Sequence, residues 1–358
     1  MTDKATNAAQ ASPRLQYIDA MRGVAMLFIV FGHIVWSYGI DAQNGAAPAS
    51  FRVFTNFVEL PMFFFISGFV LSRKSLIGNK LRGGGWLWAK FRQLIIPAIV
   101  FGGVYAASKG ISAEYVINDQ WKVGYWFTIT LFEFALLIFL IETAVSRLHI
   151  RLESAAYALI LCGVGLLLHF LSIGEVRSRF SCWGVIQMPM FRYFVPYAVG
   201  RLVGVHLQSL IRWRWRHWAV AAVVLVFFVF AVDDYAGVGF GPGSGALFHL
   251  RVLFFGAVAV LVVFLLFYRN RAFFERGGRV TQVLCFVGRR TLDVYMLHYF
   301  FLPSDLTLFG SYFAEHPATV AELFVGGIAT LLVVGMALLT GAAIRTSDIL
   351  AHWLLGAK

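Results

Sequence analysis

Two residues suited to proton and anion chemistry, Arg22 and His33, lie within the first long apolar stretch of the chain. They are eleven residues apart, so on an α-helix they fall within about 20° of the same face and about 16 Å apart along the axis. Histidine has an ordinary pKa of about 6.5 and exchanges protons near neutral pH, whereas arginine binds anions such as phosphates. Asp19 lies one turn before Arg22 and is expected to pair with it. The alternative is structural, with Arg22 as an anchoring cation and His33 as a side chain that bonds helices together.

Further polar residues recur in later apolar stretches. Glu59 and Glu133 each lie inside such a stretch, and an ionisable group in lipid is costly enough to mark a candidate site. Tyr295 and His298 share one helical face, rising from the end of a basic segment into another apolar run. For Trp126 the structural alternative is an interfacial anchor. For Gly68, which lies in the second apolar stretch, the structural alternative is that a small residue allows a second helix to approach closely.

The composition indicates whether water or lipid surrounds these residues. Of 358 residues, 59% are hydrophobic and only 13% are charged, and the mean hydropathy is +0.76. Soluble proteins average about 25% charged residues, so this chain is not a soluble protein. We predict an all-α fold, a polytopic integral membrane helix bundle of about ten transmembrane helices.

The predicted spans are stretches of about 20 apolar residues. Charged or proline residues interrupt the third and the sixth, which are the least regular. In chain order the ten spans are 18–40, 53–72, 92–108, 124–145, 155–173, 184–200, 218–233, 247–268, 283–303 and 319–343.

Basic residues are unevenly divided among the predicted loops. With the N-terminus inside, 23 Lys and Arg residues fall in cytoplasmic loops and termini, Arg201 among them, and 5 fall in outer loops. Because cytoplasmic loops are the basic ones, both termini are predicted to be cytoplasmic. The net charge of +12 therefore indicates orientation and does not indicate a nucleic-acid partner.

The domain organisation follows from the same spans. We expect a disordered cytoplasmic N-terminal tail at 1–17, a membrane domain at 18–343 and a short cytoplasmic C-terminal segment at 344–358. The first apolar run has no cleavage site after it, so it is expected to remain as an anchor. The three cysteines fit neither a disulfide framework nor the spacing of a metal site, and no metal is expected.

Several short motifs, taken in order over about residues 14–343, resemble the acyltransferase-3 family of integral membrane acyltransferases. The resemblance implies transfer of an acyl group, with acetyl expected, from cytoplasmic acyl-coenzyme A to a hydroxyl of a surface or exported carbohydrate. It also implies a bacterial inner-membrane location. The motifs are Asp19-x-x-Arg22 followed by His33, Phe63-Phe-Phe-Ile-Ser-Gly68, Trp126-Phe127, and Gly288 followed by Tyr295-Met-Leu-His298.

The resemblance also assigns roles to residues. Arg22 and His33 correspond to the basic residue and histidine that the family requires, and Asp19 joins them in the expected catalytic group. Family members often carry two arginines three apart after the second span, whereas this chain has Arg73 and then Leu76. The residues expected to bind the acyl-coenzyme A donor are Arg73, Lys74, Lys90, Arg92, Tyr295 and His298. Those expected on the acceptor side are Glu59, Glu133 and Trp126.

Acyl-coenzyme A is expected as a co-substrate, with no tightly bound cofactor. The other partners implied are a carbohydrate or lipid-linked glycan acceptor and membrane lipid. His33 either deprotonates the acceptor hydroxyl or carries the acyl group itself, and the sequence leaves both open. A multi-span transporter or flippase for an envelope glycan intermediate is the alternative function, because it too has many helices with polar residues near the midplane.

Overall fold

The computed structural model describes residues 14–37, 49–72, 84–172, 186–212, 218, 222, 246–303, 306–316 and 319–356. Every regular element in these ranges is helical, and no strand occurs among them. In lipid every backbone N–H and C=O must be bonded within the protein, and a helix achieves this alone. The predicted fold class, an all-α membrane helix bundle, is confirmed.

Fourteen α-helices lie in the described ranges. Shorter turns extend or join some of them: a π turn at His33–Ser37 and 3-10 turns at Lys122–Gly124, Met188–Tyr193 and His298–Phe300. The helices are α1 (Gln16–Gly32), α2 (Ala49–Ser72), α3 (Gly84–Ser108), α4 (Ala113–Asn118), α5 (Trp126–Arg147), α6 (Ala155–Leu171), α7 (Phe194–Leu210), α8 (Ala246–Arg269), α9 (Arg271–Glu275), α10 (Arg279–Arg289), α11 (Thr291–Leu297), α12 (Thr307–Glu315), α13 (Thr319–Ile344) and α14 (Asp348–Leu354).

Seven apolar helical segments in the described ranges coincide with predicted spans. Four of them are long and apolar enough to cross a membrane, namely Gln16–Val35, Gly85–Ser108, Trp126–Arg147 and Val320–Ile344. The shorter apolar helices are Val58–Ser72, Ala155–Leu171 and Gly256–Arg269. The seventh predicted span, 218–233, lies almost wholly outside the described residues, so the total of ten stays a prediction.

The sixth and ninth predicted spans are not single continuous helices. At 184–200, a 3-10 turn containing Pro189 precedes α7, and Pro196 falls in the first turn of α7, where proline is tolerated. At 283–303, the backbone leaves helical geometry at Arg290, with φ −111° and ψ 20°. The chain there is divided into α10, α11 and the 3-10 turn that begins at His298.

Glycines bring the backbones of α2 and α7 into contact. A β-carbon on Gly68 would lie 2.0 Å from the carbonyl oxygen of Tyr197, and one on Gly200 would lie 2.0 Å from that of Phe65. Small residues allow such approaches in membranes, where dispersion contacts between helices replace the hydrophobic effect. The predicted close helix approach at Gly68 is confirmed.

A second glycine crossing joins α1 to α10. A β-carbon on Gly23 would lie 2.1 Å from the carbonyl oxygen of Leu284, and one on Gly288 would lie 1.7 Å from that of Asp19. The first half of α1 is therefore fixed against the segment that leads into α11.

A buried ion pair connects three helices. Arg201 of α7 donates from Nε to Oε1 of Glu142 in α5 at 2.6 Å, and the hydroxyl of Tyr157 in α6 donates to the same oxygen at 2.7 Å. The side chains of Arg201 and Glu142 are 1% and 2% exposed. Arg201, expected in a cytoplasmic loop, lies instead inside α7, because this helix runs ten residues beyond the predicted end of the sixth span.

The Gly68 crossing gives a stability prediction. Gly68→Ala should lower the unfolding free energy by about 1–3 kcal/mol, because the added methyl group forces α2 and α7 apart. Thermal unfolding of the purified protein in detergent measures this change.

Gly335→Ala in α13 is the matched control, since a β-carbon there meets no atom within 4 Å. It should leave the melting temperature unchanged or raise it. Equal melting temperatures for the two variants would contradict the close packing of α2 on α7.

Candidate active site

His33 is the first residue of the π turn that follows α1. Its Nδ1 lies 2.7 Å from the carbonyl oxygen of Ile29, and its Nε2 lies 3.0 Å from the hydroxyl oxygen of Tyr299. A carbonyl oxygen only accepts hydrogen bonds, so Nδ1 carries the ring hydrogen. Nε2 consequently presents a lone pair and accepts a hydrogen bond from Tyr299. Such a lone pair is what a general base or a nucleophile requires.

A second histidine lies against the first. His298 is fully buried, and its ring centroid is 5.3 Å from that of His33 and 4.1 Å from that of Tyr299. Its Nδ1 lies 3.0 Å from the carbonyl oxygen of Val294 and 2.9 Å from that of Tyr295. His298, expected at the donor site, thus belongs to one cluster with His33. We call His33, His298 and Tyr299 the histidine cluster.

A left-handed turn before α5 supports the histidine cluster. Lys122 and Val123 have φ of 49° and 47°, values that residues with side chains rarely adopt. The carboxylate of Asp119 stabilises the turn by accepting two backbone N–H groups, at 3.1 and 2.8 Å. Gly124 follows with φ of 101°, and a β-carbon there would lie 2.3 Å from Cζ of Tyr299. Only glycine therefore allows the Tyr299 ring to lie where it meets His33.

Two tyrosines attach α11 to the start of α5. The hydroxyl of Tyr295 donates to the carbonyl oxygen of Gly124 at 2.8 Å and accepts from the backbone N–H of Phe127 at 3.1 Å. The first N–H groups of a helix have no intrahelical acceptor, so this hydroxyl completes the first turn of α5. The hydroxyl of Tyr125 donates to the carbonyl oxygen of Met296 at 3.0 Å. Tyr295, expected to bind the donor, is thus already occupied by backbone groups.

Asp19 pairs with Arg14 and not with Arg22. Nε of Arg14 donates to Oδ2 of Asp19 at 2.6 Å, and the Asp19 side chain is buried. Asp19 and Arg14 are five residues apart, but Arg14 precedes the helix, where the extended backbone lets its side chain fold back. Arg22 is half-buried on α1 and forms no hydrogen bond or ion pair with any other residue that the structure describes. Asp19 therefore has Arg14, and not the expected Arg22, as its hydrogen-bond partner, while its carboxylate still attracts the Arg22 guanidinium. The Arg22 guanidinium keeps its donors available.

The other predicted donor-binding cations lie apart from the histidine cluster. Lys90 and Arg92 are in the first half of α3, and Nη1 of Arg92 lies 3.0 Å from Nδ1 of His352 in α14. Nε of Arg92 is buried and has no hydrogen-bond partner within the described ranges. Arg73 and Lys74 fall outside the described residues, so their contact with a donor stays a prediction.

Residues 15–339 match the family model of the acyltransferase domain of the acyltransferase-3 type, and this match decides the family. The chain belongs to the acyltransferase-3 family. The resemblance read from the motifs is thereby confirmed, and the protein is a membrane acyltransferase. No curated protein and no solved structure matches the chain.

Two carboxyl groups of this acyltransferase-3 protein lie inside helices, with Glu59 buried and Glu133 half-buried. Oε1 of Glu133 accepts a hydrogen bond from the backbone N–H of Gln187 at 3.0 Å, while its Oε2 is buried without a partner in the described ranges. Oε2 of Glu59 is likewise buried and without a partner there.

Burial lowers the pKa of Lys122, and the nearby carboxylates of Asp119 and Glu133 oppose that change.

Trp126 is enclosed by other aromatic rings. Its indole stacks on Tyr193 at 5.7 Å and on Phe64 at 6.5 Å between centroids, and it is only 6% exposed. These contacts join the start of α5 to α2 and to the 3-10 turn before α7. Packing therefore accounts for most of the Trp126 surface in the acyltransferase-3 fold.

One ionic contact near the histidine cluster had no counterpart among the predicted site residues. Arg345 donates to both carboxylate oxygens of Asp293, at 2.7 and 2.5 Å, and to the carbonyl oxygen of Leu355 at 3.3 Å. Asp293 is 1% exposed. The pair fixes α11 to the end of α13 and to α14, and its signal in the sequence was an acid inside the ninth predicted span.

Tyr295→Phe tests the junction between α11 and α5. Loss of the hydroxyl leaves the Gly124 carbonyl and the Phe127 N–H without their partner, which should cost about 1–3 kcal/mol of unfolding free energy. The change is measured by thermal unfolding in detergent.

Tyr115→Phe is a suitable control, because Tyr115 is 58% exposed on α4. Its substitution should have little effect on the melting temperature. An unchanged melting temperature in Tyr295→Phe would show that the Tyr295 hydroxyl contributes nothing to stability.

Proposed function

We propose that this protein transfers an acetyl group from cytoplasmic acetyl-coenzyme A to a hydroxyl of a surface or exported carbohydrate. The observation that carries the proposal is the Nε2 lone pair of His33, which lies among helices of an acyltransferase-3 bundle and bonds the Tyr299 hydroxyl. Acyl transfer to an alcohol needs a group that takes the hydroxyl proton or one that carries the acyl group. The same nitrogen suits either step once the Tyr299 hydroxyl gives way to the substrate.

The donor has a polyanionic nucleotide end and a thin arm that carries the thioester. Arginine and lysine bind phosphate groups through charge-assisted hydrogen bonds, and Arg22 has guanidinium donors available on the helix that leads to His33. We infer that Arg22 contacts the donor together with Arg73, Lys74, Lys90 and Arg92. In this arrangement, the phosphates stay near the cytoplasmic surface while the thioester reaches His33.

The acceptor side is proposed around Glu59 and Glu133. Each carboxyl group has an oxygen that is buried without a partner in the described ranges, and sugar hydroxyls are suitable donors to such oxygens. The indole of Trp126 is mostly covered by Tyr193 and Phe64, so we expect it to shape this region more than to contact the acceptor.

We further propose that the protein lies in a bacterial inner membrane with both termini in the cytoplasm. Alkaline phosphatase, which folds only outside the cytoplasm, should be inactive when fused after Lys358. It should be active when the chain is truncated at His316 and fused there, because 304–318 is predicted to lie outside. Activity of the fusion after Lys358 would contradict the proposed orientation.

His33→Ala tests the proposed function directly. The variant should lower acetyl transfer by about 10²-fold or more, because the nitrogen that acts on the hydroxyl or thioester is lost. The assay incubates the purified protein with radiolabelled acetyl-coenzyme A and candidate glycans, and thermal unfolding confirms that the variant is folded.

The matched control is His316→Ala, since Nδ1 of His316 also bonds a carbonyl one turn earlier but the side chain is exposed. Its activity should equal that of the wild type. Full activity in His33→Ala would remove His33 from the reaction, and glycan flux by the wild type without acetylation would favour a transporter or flippase.

A further inference from the structure

Nε2 of His298 is an unexplained buried group. The nitrogen has no hydrogen-bond partner among the described residues, and the whole side chain is inaccessible to solvent. Because Nδ1 lies beside two carbonyl oxygens, it carries the ring hydrogen, and Nε2 holds a lone pair. A buried polar atom without a partner costs about 1–3 kcal/mol, so such atoms in a native structure need an explanation.

The two imidazoles of the histidine cluster are chemically alike but differently occupied. Each has its Nδ1 hydrogen directed at a backbone carbonyl one turn earlier, which leaves Nε2 basic in both rings. Nε2 of His33 accepts a hydrogen bond from Tyr299, whereas Nε2 of His298 accepts none from the described part of the chain. The ring of His298 nevertheless touches both of the other members.

We propose that His298 is a second catalytic residue, the general base for the acceptor hydroxyl, and that His33 carries the acyl group. This inference rests on the proposed function. It assigns one lone pair to each of the two steps that acyl transfer through a covalent intermediate requires.

The bonds and protons balance over two steps. In the first, Nε2 of His33 attacks the thioester carbon, the carbon–sulfur bond breaks, and coenzyme A leaves as its thiolate. In the second, the acceptor oxygen attacks the acyl carbon while Nε2 of His298 takes the hydroxyl proton. The carbon–nitrogen bond breaks, its electron pair returns to His33, and His298 passes the proton through water to the thiolate.

The test compares two nucleophiles that differ in their need for a base. Hydroxylamine attacks an acyl group without base assistance at neutral pH, whereas water does not. In His298→Gln, hydrolysis of acetyl-coenzyme A should fall by about 10²–10⁴-fold, while acetyl hydroxamate formation should stay near the wild-type rate. Glutamine keeps an N–H for the backbone carbonyls, so this variant should fold.

His298→Ala should show the same pattern, and added imidazole should restore its hydrolysis because the substitution opens a space of the size of the lost ring. His33→Ala should lose both reactions. Hydroxamate formation by His298→Gln with hydrolysis abolished would support the proposal.

Two results would overturn it: equal loss of both reactions in His298→Gln, which indicates a structural role, or wild-type hydrolysis in that variant. Failure of the proposed function is distinguishable, since the wild type itself would then release no coenzyme A with either nucleophile.

Discussion

The glycine crossing between α1 and α10 sets the geometry of the histidine cluster. Gly23 and Gly288 bring the two backbones into contact, and each is followed ten residues later by a histidine of the cluster. The segments that follow these two glycines bring the rings of His33 and His298 to 5.3 Å between centroids. A shift of one residue between the segments would displace one ring by about 1.5 Å. Contact between the rings therefore depends on a glycine contact almost three helical turns away.

Much of the architecture could be predicted from the sequence, because lipid makes apolar length informative. Seven predicted spans coincide with apolar helices. The spacing of Arg22 and His33 placed both on one face of the first helix, and the family resemblance marked them as candidate catalytic residues. What the helical period could not reveal was the break at Arg290, two residues after Gly288. The contact between His298 and His33 joins two segments far apart in the sequence, and the helical period of neither segment encodes it.

Contacts made by turns and by distant residues account for most of what was missed. In the sequence, Tyr299 is one aromatic residue among many. Its contact with His33 depends on the left-handed turn at Lys122–Gly124, and Gly124 lies 175 positions earlier in the chain. The pairing of Asp19 with Arg14 depends on the extended residue before α1. The ion pair of Arg201 and Glu142 could not be predicted for a different reason. Each residue lies near a predicted span end, and only the longer α7 places them in one buried pair.

The π turn at His33–Ser37 has a consequence for comparing this chain with other members of its family. A π turn holds one residue more than the α-helical turn it replaces, so it is equivalent to a single-residue insertion in the helix. A relative that lacked this residue would keep the histidine at the end of α1 but rotate each later side chain by about 100° around the axis. In an alignment, a one-residue gap at this point would therefore mark a change in which side chains share the helical face of the histidine.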